Sequence, residues 1–179
     1  MALFDSVRAW CILGLRSLKG GEAMTRRKIK LLDSDDLRKQ LDFDYQVASQ
    51  EACARFGRDL VEHLIELTGL KVGQEPDIEA GWAVSQACLA GQARMHDVRQ
   101  AGFKIHALAK QAENPIEQAL LRVIGHAVAT AHMKEHAMVA SDYAIKLINL
   151  AHPDDLIAAQ EERQWQLTWW RDKTDYDRA

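Results

Sequence analysis

Beyond residue 34 the apolar positions of this chain recur at intervals of three and four, and nowhere do they alternate over a run bounded by turn residues. That period is helical, so the pattern predicts an all-α protein. Ser34, with Asp35 and Asp36 behind it, supplies a cap and two first-turn acids for a short helix to about Leu41. A longer helix is expected from Phe43 to Leu67, with Ala48, Ala52, Phe56, Leu60, Leu64 and Leu67 on one face and Gly69 ending it. Pro76 opens the next, which carries Ile78, Trp82, Val84, Ala87 and Leu89 and closes at Gly91. From about Arg94 the stripe is Met95, Val98, Gly102, Ile105, Ala109 and Ala112.

Asn114-Pro115-Ile116-Glu117 combines a cap, a proline at the first helical position and a first-turn acid. The apolar face that follows, Leu120, Val123, Ile124, Ala127, Val128 and Ala131, is wide enough for a central helix buried on several sides. A shift of phase near Lys134 predicts a break, with Ala137, Ala140, Ala144, Leu147 and Ala151 forming the next stripe. His152-Pro153-Asp154 stops that helix, and a last one runs from about Asp155 to Arg171. Trp165 and Trp169 share one face of it, placed either to pin it to the bundle or to anchor a partner. The expected architecture is a single compact bundle of about six or seven antiparallel helices over residues 34–171, with a partly flexible extension at 1–33 and a disordered tail at 172–179.

Composition narrows the function more than the fold. At 179 residues and 47% hydrophobic content, one sizeable core is affordable and two are not. The formal net charge is −3, but residues 1–34 carry +4, which leaves −7 on the body. An acidic body argues against a dedicated nucleic-acid binder and suits a basic partner. The short basic run Arg26-Arg27-Lys28-Ile29-Lys30 reads as a solvated tail. Cys11, Cys53 and Cys88 are odd in number and widely spaced, as reduced thiols of a cytoplasmic protein would be. The apolar run 9–15 is too short to cross a membrane and lacks the basic start of a signal peptide. Met24 has the character of a start in its own right, which would make 1–23 an over-read extension. Glycine-rich phosphate loops, G-x-S-x-G and C-x-x-C are all absent from the sequence, and no cofactor is expected.

The chemistry concentrates in residues 125–143, GHAVATAHMKEHAMVASDY, where His126, His132 and His136 fall within eleven positions among small apolar residues. His132, Glu135 and His136 match H-x-x-E-H, in which two histidines on one helical face hold zinc and the glutamate acts as base. A catalytic zinc needs a third protein ligand. On a continuous helix His126 would lie roughly 120° away from His132, and His152, Asp142 or His106 could serve only if the fold delivers them. The plainer reading is that Gly125, Ala129 and Ala137 allow close helix approach and that the histidines are packed between helices, with no metal.

One set of residues carries a resemblance. Ala52-Cys53-Ala54, a helix bearing Trp82 and closed by Ala90-Gly91, the run GHAVATAH at 125–132, Glu135-His136-Ala137, Tyr143-Ala144 and Glu162-Arg163-Gln164-Trp165-Gln166 together resemble the bacterial immunity proteins of the polymorphic-toxin kind. The likeness covers roughly residues 43–170 and departs from the family pattern at Lys134, where a proline is common. It implies an all-helical, non-enzymatic cytoplasmic protein that binds and neutralises a cognate protein toxin, with no nucleic acid or membrane involved and self-association left open. On that resemblance the candidate binding residues are His126, Thr130, His132, Glu135, His136, Tyr143, Trp165 and Trp169. Two alternatives stand beside it: a zinc-dependent hydrolase on His132 and His136, and a scaffold or small-ligand-binding bundle.

Overall fold

Among the residues that the computed structural model describes, 24–72 and 75–174, seven helices follow one another and no strand occurs. They are α1 (Asp35–Val47), α2 (Gln50–Thr68), α3 (Pro76–Leu89), α4 (Met95–Gln111), α5 (Pro115–Ala129), α6 (His136–Ala151) and α7 (Leu156–Thr174). The segments read as an over-called start, 1–23, and as the end of a disordered tail, 175–179, lie outside the described residues. The all-α bundle expected from the apolar period is the architecture observed.

Local chemistry sets most of the boundaries. The Ser34 hydroxyl accepts from the Leu37 amide, and the Asn114 side chain accepts from the Ile116 amide ahead of Pro115. Asp155 accepts from the amides of Ile157 and Ala158 at the start of α7. Gly69 and Gly91 end their helices at positive φ, where a side chain would be strained.

One boundary corrects the sequence reading. The first helix does not stop near Leu41, and the stripe from Phe43 to Leu67 is not one helix. α1 runs on to Val47, the chain breaks at Ala48, and Ser49 caps α2 by accepting from the Ala52 amide. Lys134 supports the break from far along the chain, donating to the carbonyls of Gln46 and Ala48 while its ammonium lies 5.0 Å from the centre of the Tyr45 ring. These are carbonyls that the end of α1 leaves without intrahelical partners.

α5 is the central helix: Leu120, Val123, Ile124, Ala127 and Val128 are all buried, and α2, α3, α4 and α6 pack around it. Small residues set how near those neighbours come. A Cβ added to Gly57 would lie 3.1 Å from Ala127 Cβ and 3.2 Å from Ala127 Cα, and one added to Gly102 would lie 3.4 Å from the Gly125 carbonyl oxygen. The backbone of α5 cannot yield as a side-chain tip would. Gly57→Ala is therefore expected to destabilise the protein by about 1–3 kcal/mol despite the better helix propensity of alanine, which urea unfolding would measure; a gain in stability would contradict this packing.

α7 packs on α1, α2 and α6. It is held by aromatic contact of Phe56 with Trp169 and Trp170, and by a chain of buried charge. Arg163, fully buried, reaches Asp33 and Asp142 at 2.8 Å each and also bonds to Ser141 and Gln166. Arg38 of α1 holds the same Asp142 at 2.8 Å and approaches Asp42, and Arg27 holds Asp33. Residues 24–33, assigned from sequence to an extension outside the domain, thus contribute Asp33, Arg27 and Thr25 to contacts with the body.

Candidate functional site

The break after α5 is what creates the site. Thr130 turns the chain: its hydroxyl and amide both bond to the His126 carbonyl, and Gln50 of α2 donates to the Thr130 carbonyl. Residues 130–135 form a turn-rich linker, and α6 begins only at His136. His132 and His136 are consequently not on one helical face. The H-x-x-E-H reading needed a continuous helix, and Lys134, tied to the α1–α2 junction, occupies the middle of the break.

The same break reverses the expectation for His126. The turn folds α6 back so that His126 and His136 meet, Nδ1 to Nδ1 at 3.0 Å, with ring centroids 5.2 Å apart. Tyr143 of α6 stacks on His126 at 5.4 Å, and His132 lies 5.0 Å from His136. From α4, His106 adds a fourth imidazole, 4.6 Å from His126. It can do so because Gly125 has no side chain: a Cβ there would fall 2.5 Å from His106 Cε1 and 2.6 Å from Nδ1.

The electrostatics of this cluster favour neutral rings. Burial, helped by the neighbouring histidines and by Arg122, Lys110 and Lys28, pushes His106 and His136 down to about 4 and His126 down to about 3, and burial lowers His132 as well. Two neutral imidazoles at 3.0 Å share one proton between their facing nitrogens, one donating and one accepting. That arrangement aims the His126 and His136 nitrogens at each other. Among the described residues no three His, Cys, Asp or Glu side chains are placed to hold a metal ion.

The cluster opens into a groove of about 690 Å³ between α4 and the linker, lined by Met95, Arg99, Phe103, His106, His132, Met133 and His136 among others. Met95, read from sequence as the first residue of a core stripe, is 64% exposed on its rim, and Phe103 and Met133 are exposed there too. Glu135 takes no part. It borders a separate cleft with Thr25, Tyr45 and Lys134. The base that zinc hydrolysis would need therefore opens on a different surface from the two histidines.

A family model described as Imm-5 like putative immunity protein matches residues 44–173 of this chain. The chain belongs to that family. No curated protein and no solved structure matches it. In this Imm-5 like protein the eight candidate residues divide by place. His126, His132, His136 and Tyr143 share the cluster, Thr130 is buried at the start of the linker, and Glu135 faces the other cleft. Trp165 and Trp169 sit where α7 meets α2: Trp169 is buried and donates to Asp59 at 2.8 Å, while Trp165 stacks on His63 at 3.8 Å with the rings 8° from parallel. His63 bonds in turn to Glu162 at 2.9 Å. Within the Glu162–Gln166 segment of the Imm-5 like protein, Glu162, Arg163 and Gln166 are buried polar residues holding α7 in place. Cys53 is buried and its thiol is pushed up to about 12, so it is no nucleophile.

Sequence reasoning named His106 only as a possible third zinc ligand and gave Arg99, Phe103 and Met133 no role. A signal for His106 existed, since it lies one helical position from Ile105 in a stripe that also contains Gly102. Its meeting with His126 depends on how α4 crosses α5, which no local pattern encodes. No helix among the described residues is long and apolar enough to cross a membrane.

Proposed function

We propose that this protein is a stoichiometric inhibitor that neutralises a cognate protein toxin in the cytoplasm by binding it, without catalysis. The observation that carries this reading is the groove: exposed Met95, Phe103 and Met133 surround a set of half-buried neutral histidines. Apolar surface kept open beside a firmly packed polar cluster suits recognition, where a few aromatic and thioether side chains supply most of the affinity. Family membership supports an immunity role in the same direction. Acid–base chemistry is poorly served, since no carboxylate lines the groove to work with the imidazoles.

Dose distinguishes the two modes. Candidate toxin domains are co-expressed with this chain in a host they kill, while the ratio of the two proteins is varied. Rescue is expected to saturate near one inhibitor per toxin, with a complex of matching mass on light scattering. Full rescue at a small fraction of the toxin level, with no complex, would mean turnover and would sink the binding reading.

A further inference from the structure

The groove is lined by a guanidinium and four imidazoles, those of His96, His106, His132 and His136, and by no carboxylate. Nδ1 of His106 and Nδ1 of His132 are both buried without a hydrogen-bond partner. In each ring the other nitrogen, Nε2, is the one that reaches the groove the two residues line. A neutral imidazole carries a single proton, and an N–H that can be hydrated or bonded costs less than one buried with nothing to receive it. For His106 the proton therefore belongs on Nε2, so that its N–H faces outward, whereas the Ala129 carbonyl stands as an acceptor for the His132 ring.

Arg99 adds a guanidinium to the same wall, with its Cζ 5.4 Å from the centroid of the Phe103 ring. Lys28, Lys110 and Arg122 act on the cluster from around it. Carboxylates are kept away: none lines the groove, Asp97 is paired with Arg94 at 2.9 Å, and Glu135 borders the other cleft. The local field is thus opposite in sign to the net charge of −3, which on its own would favour a basic partner at long range.

We propose that this groove receives an acidic segment of the protein partner. In that complex an aromatic side chain sits among Met95, Phe103 and Met133, and a neighbouring carboxylate accepts from Arg99 and from the Nε2–H group of His106 beside His132. The apolar half follows from three large exposed side chains at one site, two of them methionines, whose thioethers adapt to aromatic rings. The acidic half follows from a wall that holds a guanidinium and no carboxylate, where a carboxylate would form charge-assisted bonds and a neutral amide would not. Burial keeps the rings neutral near pH 7, so binding a carboxylate there also favours proton uptake. The proposal rests on the toxin-binding reading for the identity of the partner, but its chemistry can be tested without one.

The probe is N-acetyl-phenylalanine, which carries a ring and a carboxylate, compared with its uncharged primary amide. Both are titrated into the isotopically labelled full chain and followed by NMR of the backbone amides and imidazole nitrogens. The carboxylate is expected to shift Nε2 of His106 and His132 and the amides of residues 95–106 and 129–136, saturating in the millimolar range usual for a ligand of this size. The amide should bind at least about tenfold more weakly. Arg99→Gln should bring the carboxylate towards the amide's affinity, and Phe103→Ser, at an exposed position, should weaken both. Equal affinity of acid and amide, shifts mapping elsewhere, or no shift at either histidine by about 20 mM would overturn the assignment.

Against a toxin that the native chain neutralises, the same two variants should bind more weakly. Unchanged binding would overturn the groove as the contact while leaving the immunity reading intact. A chain that binds the probe yet neutralises nothing would sink the immunity reading and keep the ligand chemistry.

Discussion

Arg163→Met is expected to lower the stability of this protein by about 3–5 kcal/mol, the usual cost of removing one partner from a buried ion pair. The side chain is fully buried, and it joins the segment before α1, through Asp33, to α6, through Asp142, and to its own helix, through Gln166. Methionine fills much of the space but leaves two carboxylates, Asp33 and Asp142, short of a partner in a site with almost no solvent contact. Arg27 remains on Asp33 and Arg38 on Asp142, which keeps the loss within that range. Urea unfolding of the two proteins measures the difference. Arg163→Lys should lose less but still be destabilised, because a single ammonium cannot reproduce a planar fork that meets both carboxylates. In the Arg163→Met, Asp142→Asn double variant the losses should be markedly less than additive. A single-variant loss below about 1 kcal/mol, the level of an exposed pair, would mean the network contributes little.

This network was also the part of the fold least legible in the sequence. No local pattern pairs the charged residues at 33, 38, 142 and 163, and the pairs they form span up to 130 residues of chain. Helix ends were legible wherever their chemistry is local: Asn114-Pro115, Gly69, Gly91 and His152-Pro153 each carry their own signal. The α1–α2 break was not. Ala48 and Ala52 fit the same apolar period as the helix that follows, and the break is supported by Lys134, more than 80 residues away. The histidine cluster falls between these cases. Its residues stood out by density and the phase shift near Lys134 marked the break, but a break has no direction in sequence. Only the course of the linker decides that His126, not His132, meets His136 at 3.0 Å.

Burial of the clustered rings sets the pH dependence. Between pH 7 and pH 5 the protein is expected to lose stability on the order of 3 kcal/mol, because the unfolded chain binds protons that the folded chain refuses. Histidine ordinarily titrates near 6.5, whereas burial holds His106 and His136 near 4 and His126 near 3 in the folded state. With the folded values below the unfolded ones, the stabilisation is present above about 6.5. It declines as pH falls through that value, and the decline ends only near 4 for His106 and His136 and near 3 for His126. Three rings at about 1.4 kcal/mol per pH unit would give about 6 kcal/mol from pH 6.5 to 5. Residual solvent around half-buried rings screens roughly half of that. Chemical unfolding at pH 7, 6 and 5 checks the slope. His126→Gln, which removes the most strongly depressed ring, should flatten the slope by about a third. A stability that stays level from pH 7 to 5 would mean that the cluster takes up protons without unfolding. The rings would then be open to water, and the neutral Nε2–H donor assigned to His106 in the groove wall would lose its physical basis.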